Sequence, residues 1–147
     1  MSKQLADRLN STLRKKSTDE VLDYFLNHYE ESSALSSSLA AEDQVLTDLI
    51  LKKYPKTKIF TLDTGRLNPE TYDVMDATNL QYNFKMDVYF PNEQDVQKLY
   101  KMQGVNGQYE SIENRKTCCG VRKIEPLKRA LKDLDIWFTG LRASQSV

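Results

Sequence analysis

Apolar residues at the start of the chain return at helical spacing. Leu5, Leu9 and Leu13 lie four apart, and Val21, Leu22, Phe25, Leu26 and Tyr29 form a second stripe, so residues 2–29 read as one or two amphipathic helices. Ser17 or Thr18 caps the second, with Glu20 in its first turn. His28, the single histidine, falls near its C-terminal end, where a cation complements the helix dipole. The period then shortens. Residues 33–39 read as a short strand entering a small-residue loop, and residues 40–51 as a helix ended by Lys52-Lys53-Tyr54-Pro55. Residues 58–62 have a buried-strand pattern, followed by Asp63-Thr64-Gly65-Arg66 and a helix that Pro69 begins with Glu70 in its first turn. Residues 82–90 read as a third strand stopped by Pro91, and residues 92–103 as a helix with Val96, Leu99, Tyr100 and Met102. After a loop at 104–108, residues 123–132 read as a helix with Pro126 in its first turn, and residues 135–139 as a fourth strand.

Strands alternating with helices argue for an α/β fold, a mostly parallel sheet with helices on both faces. Residues 1–30 form an N-terminal helical segment ahead of a nucleotide-binding α/β domain over 31–147. In such a sheet, ligands sit beyond the carboxyl ends of the strands. Three loops, 36–42, 63–66 and 140–146, therefore meet at one edge. They bring serine hydroxyls, backbone donors, Arg66 and Arg142, a set suited to an adenine nucleotide carrying phosphate or sulfate. The plainer readings are a serine helix cap at 36–38 and an ordinary tight turn at Asp63-Thr64-Gly65.

Charge changes this picture locally. Basic and acidic residues balance at 21 each, so no global field favours nucleic acid or an anionic membrane. Residues 115–132, however, hold seven Lys or Arg against Glu125 alone, which suits an anionic ligand or, more plainly, a solvated helix face. The only two cysteines, Cys118 and Cys119, lie within this run. Adjacent cysteines strain a disulfide, whereas flanking Arg115, Lys116, Arg122 and Lys123 favour thiolates, the form that ligates metal. With two cysteines, no apolar run near membrane-spanning length and no signal-peptide core at the start, the expected setting is a reducing, cytoplasmic one.

Four segments together resemble the sulfonucleotide (APS/PAPS) reductases of assimilatory sulfate reduction, in their APS-preferring iron–sulfur branch. They are Ser36-Ser37-Ser38-Leu39-Ala40-Ala41-Glu42-Asp43; Leu62-Asp63-Thr64-Gly65-Arg66-Leu67 with Glu70-Thr71-Tyr72; Cys118-Cys119 with Arg122-Lys123 and Pro126-Leu127; and Gly140-Leu141-Arg142 with Gln145-Ser146. The resemblance implies an adenine-nucleotide α-hydrolase-like fold related to the PP-loop pyrophosphatases. It implies thioredoxin-dependent reduction of adenosine 5′-phosphosulfate (APS) to sulfite and AMP, with the 3′-phosphorylated form, PAPS, as the alternative substrate. On that pattern Ser36, Ser37, Ser38, Ala40, Leu62, Asp63, Thr64, Gly65 and Arg66 hold the nucleotide. Gly140, Arg142 and Gln145 contact its phosphosulfate end. Cys118 and Cys119 are two of four ligands to a [4Fe-4S] cluster, and Lys123 lies between cluster and substrate. Two departures stand out: Ala40 replaces a glycine of the serine-rich loop, and the family's second cysteine pair and its nucleophilic tail cysteine have no counterpart here. The chain is accordingly expected to be the N-terminal portion of a longer protein, inactive alone. Rival readings are a PP-loop nucleotide-binding module without redox activity, an ATP pyrophosphatase, or a metal site shared between two protomers; a homo-oligomer is compatible with all of them.

Overall fold

The computed structural model describes residues 3–142 and Gln145. Two helices come first, α1 (Lys3–Leu13) and α2 (Thr18–Tyr29). Ser17 caps α2 through a reciprocal capping box with Glu20, so the polar pair Ser17/Glu20 fixes where the second helix starts. Then follow β1 (Ser33–Ser36), α3 (Ala41–Lys53), β2 (Lys58–Leu62), α4 (Pro69–Gln81), β3 (Asp87–Tyr89), α5 (Glu93–Gln103), α6 (Ile112–Cys119), α7 (Glu125–Leu131) and β4 (Ile136–Thr139).

All strand pairings are parallel, in the order β3-β2-β1-β4. Leu35 pairs with Ile59 and Ser36 with Phe60, and alternate residues serve opposite faces. On one face Leu35 and Ile59 pack with Leu22 and Leu26 of α2, Ile50 and Leu51 of α3, and Met75 of α4. On the other, Ala34 and Phe60 pack with Ala130 and Leu127 of α7. Helices thus cover both faces, as the alternation of elements predicts. The N-terminal segment does not stand apart, because Leu22 and Leu26 are each only 2% exposed within the core.

Two expectations are corrected. The third strand is three residues long rather than spanning 82–90. α4 runs to Gln81, Asn83 adopts a left-handed conformation (φ 46°), and Phe84 N–H donates to Asn79 O. Tyr82, Phe84 and Met86 supply core contacts from a connection, which mimics a strand pattern in sequence. The helix expected over 123–132 is the second half of a longer one. It begins at Ile112, capped by Ser111, and passes through a π-helical turn at Gly120–Ile124. Glu125 N–H donates to Gly120 O, the five-residue spacing of a π turn. Pro126 has no N–H to donate and follows that widened turn directly, which is how the helix continues through it.

Candidate functional site

The strand order runs outward from β1 in both directions, to β2 and β3 on one side and to β4 on the other. The carboxyl ends of β1, β2 and β4 therefore lie side by side around this reversal, the usual ligand position in such sheets. A cavity of about 500 Å³ lies there, within the size range of small-molecule sites. Ser36, Ser37, Ser38 and Ala40 line it from the first loop, Leu62 and Thr64 from the second, and Gly140 and Gln145 from the third, with Lys123 reaching in from the π turn. The structure thus brings all three sequence-predicted loops to one cavity.

The N-terminus of α3 opens onto this cavity. Its N-cap is Ala40, which offers no side-chain hydrogen bond, whereas α2, α5 and α6 are capped by Ser17, Asn92 and Ser111. The first backbone N–H groups of a 13-residue helix thus lack a side-chain acceptor, and the helix dipole adds positive potential there. Ala40 itself has φ −75° and ψ 167°, so its position does not need glycine for backbone reasons. The left-handed residue of this loop is Leu39, at φ 65°.

Several predicted residues are placed elsewhere. Asp63 is buried and shapes its own loop: Oδ1 accepts from Gly65 N–H at 2.7 Å and Oδ2 from the Tyr72 hydroxyl at 2.8 Å. That bond raises the Tyr72 pKa, because the carboxylate holds the phenolic proton. Gly65 takes φ 70°, and a side chain there would press on Arg122 Nη1. Arg66 turns away from the cavity, donating to Val105 O (2.6 Å) and Asn106 Oδ1 (2.9 Å). Arg142 pairs with Glu42 Oε1 at 2.9 Å. Of the 140–146 loop, Ala143, Ser144 and Ser146 lie outside the described residues.

Cys118 is buried, Cys119 half-buried, and both are free thiols one turn before Lys123. Neither lines the cavity. A four-iron cluster takes four thiolates; this chain has two, and no group of three or more His, Cys, Asp or Glu side chains is assembled for a metal among the described residues. The donors of this chain alone therefore do not fit such a cluster. Arg122, buried on the same turn, links this segment to the second loop: Nη1 donates to Thr64 O at 2.6 Å, and the guanidinium lies over the Tyr100 ring, 5.2 Å from its centroid.

Trp137, Glu42 and Asp43 are among the cavity residues to which the sequence reading gave no role. Trp137, on the outer strand, lines the cavity and donates from Nε1 to Ser36 Oγ at 2.8 Å. Glu42 and Asp43, in the first turn of α3, end the serine-rich segment 36–43, where only Ser36, Ser37, Ser38 and Ala40 were given a role. Residues 135–139 were read only as a strand, and nothing local signalled that Trp137 looks into the cavity.

A model of the phosphoadenosine phosphosulfate reductase domain matches residues 32–147. The chain is 46% identical over 112 residues to an adenosine 5′-phosphosulfate reductase of Burkholderia cepacia, covering 76% of this chain and 45% of that protein. It is 40% identical over 138 residues to the enzyme of the same name from Pseudomonas aeruginosa, covering 94% and 51%. Among solved structures it is similar to the phosphate complex of a phosphoadenylyl-sulfate (PAPS) reductase from Candida auris, at 26% identity and a TM-score of 0.79, covering all of this chain and 71% of that one. The chain spans about half the length of the curated relatives it matches.

Proposed function

The chain belongs to the phosphoadenosine phosphosulfate reductase domain family, and on that premise we propose that it is the nucleotide-holding part of a thioredoxin-dependent adenylyl-sulfate reductase. The observation that carries this reading is the crevice between β1 and β4, into which an uncapped helix N-terminus and Lys123 both open. Adenosine 5′-phosphosulfate enters with its anionic end toward those donors. APS is preferred to PAPS on one ground. The relatives named above as sharing 40–46% identity carry the APS name.

In the reaction, a thiolate attacks the sulfate sulfur. A sulfur–sulfur bond forms, the sulfur–oxygen bond to the phosphate breaks, and AMP leaves with that electron pair. A thioredoxin thiolate then attacks the sulfenyl sulfur of the S-sulfonate and displaces sulfite, leaving a mixed disulfide. The second thioredoxin thiolate attacks thioredoxin's own sulfur in that bond, closes thioredoxin's disulfide and releases the enzyme thiolate, so that thioredoxin supplies the two electrons. Lys123 stabilises charge growing on the bridging oxygen, a role a fixed ammonium performs well in a closed site. Cys118 and Cys119 are read as half of a cluster's ligand set, completed by thiols from outside this chain, and not as the attacking nucleophile.

Isothermal calorimetry on the isolated chain with APS, PAPS, AMP and ATP tests the reading. APS and AMP are expected to bind more tightly than ATP, with no sulfite released when thioredoxin is added. ATP binding tighter than APS binding would instead support a PP-loop adenylating module, and sulfite release would show that the chain carries its own nucleophile.

A further inference from the structure

Asp43 is 7% exposed and no described cation pairs with it, yet its carboxylate is fully engaged. Oδ2 accepts from both the backbone N–H (2.7 Å) and the hydroxyl (2.6 Å) of Ser38. Oδ1 accepts from the backbone N–H of Gly140 at 3.0 Å. Ser38 lies on the loop after β1 and Gly140 on the loop after β4, 102 residues further along the chain. β1 and β4 are paired only as far as Ser36 and Thr139, so beyond that point the strand ladder no longer fixes how far apart the two loops stand. Asp43 spans that gap from α3. Gly140 is shaped to this contact, since a Cβ there would run into Asp43 Oδ1.

We propose that Asp43 is a positioning residue that sets the width of the nucleotide crevice by clamping Ser38 to Gly140; the inference rests on the nucleotide reading given above. It carries a second consequence. Both Ser38 donors and the Gly140 N–H are spent on Asp43. The anionic end of the ligand therefore meets the open N–H groups at the start of α3 and Lys123, rather than Ser38. Asp43 acts through the loops and does not touch the nucleotide.

Asp43→Asn isolates the carboxylate. Whichever way the amide is turned, its NH₂ faces a backbone N–H, either that of Ser38 or that of Gly140, so one loop is released. The expected result is AMP affinity weakened about tenfold or more, read by calorimetry on the full chain at a temperature where circular dichroism shows it folded. Gly140→Ala strikes the same contact from the other side, so the double variant is expected to bind no more weakly than Asp43→Asn alone. Tyr82→Phe is the control: it removes the 2.6 Å bond to Asp48 on the same helix, away from the cavity, and is expected to leave AMP affinity unchanged. A folded Asp43→Asn variant with wild-type affinity overturns the proposal, as do independent, additive losses in the double variant or an equal loss in Tyr82→Phe. If Asp43→Asn does not fold, the comparison of Gly140→Ala with Tyr82→Phe decides in the same way. A wild-type chain that binds no AMP overturns the nucleotide reading itself, a different outcome from any of these.

Discussion

Trp137 is the only tryptophan in the chain, and it stands in the cavity wall with its indole N–H on Ser36. A ligand that fills the crevice changes its surroundings directly. AMP or APS is therefore expected to shift or quench intrinsic fluorescence with the same midpoint as calorimetry, and inorganic phosphate, which cannot cover the indole, to leave it nearly unchanged. Emission indifferent to saturating AMP would place the nucleotide elsewhere. At this scale the sequence was a good guide to backbone chemistry and a poorer one to long side chains. Ser36, Thr64 and Gly140 are where their loops had to put them. Arg66 and Arg142 have reach enough to find other acceptors, the Val105 carbonyl with Asn106 for one and Glu42 for the other. Local pattern cannot say which acceptor a flexible cation takes. The role of Asp43 was not legible for a different reason: its partners are five and 97 residues away.

Among the elements, those with punctuation were legible. Ser17 and Glu20 mark the start of α2, Pro69 that of α4, and Pro91 lies just past β3. Those whose apolar residues serve a connection were not, as Tyr82, Phe84 and Met86 show. α6 was missed because its exposed face is polar or charged at most positions and it buries only Cys118. The Ser17 cap gives a direct test of how an element end bears on the whole. Ser17→Ala is expected to cost about 1 kcal/mol, a fall of about 3 °C in Tm by circular dichroism for a chain of this size. α2 brings Leu22 and Leu26 to the core, so the melt should stay a single transition rather than show α2 fraying first.

For the molecule as a whole, strand and helix alternation was enough to give the parallel sheet and the edge on which its loops gather, because few connections are sterically allowed. Stability in acid is also set at this scale, by three carboxylates on α2 and α3. Lys16 and then the Ser17 backbone pull Glu20 from its ordinary 4.5 to about 2. Asp23 is lowered by Lys53 and then Tyr54, and Asp48 by Lys52 and then Tyr82. Depressed carboxylates stabilise the fold above their unfolded values and lose that contribution as pH falls through the folded ones. The urea midpoint is expected to hold steady down to about pH 5 and then to drop as the pH falls from 4.5 toward about 2. The loss should be smaller in high salt, since all three pairs are largely exposed; a midpoint that falls equally between pH 7 and 5 would contradict this. The π turn at Gly120–Ile124 also acts across the molecule. An α-helix offers one rotational phase along its whole length, so residues that must face two unlike environments compete for it. The extra residue in the wide turn resets that phase between Cys119 and Glu125. The thiols before it can then face one way while Leu127 after it faces the cavity. Removing Gly120 would restore a regular helix and rotate everything downstream by about 100°. A single-residue deletion that heals the hydrogen-bond ladder would thus cost the helix its second address.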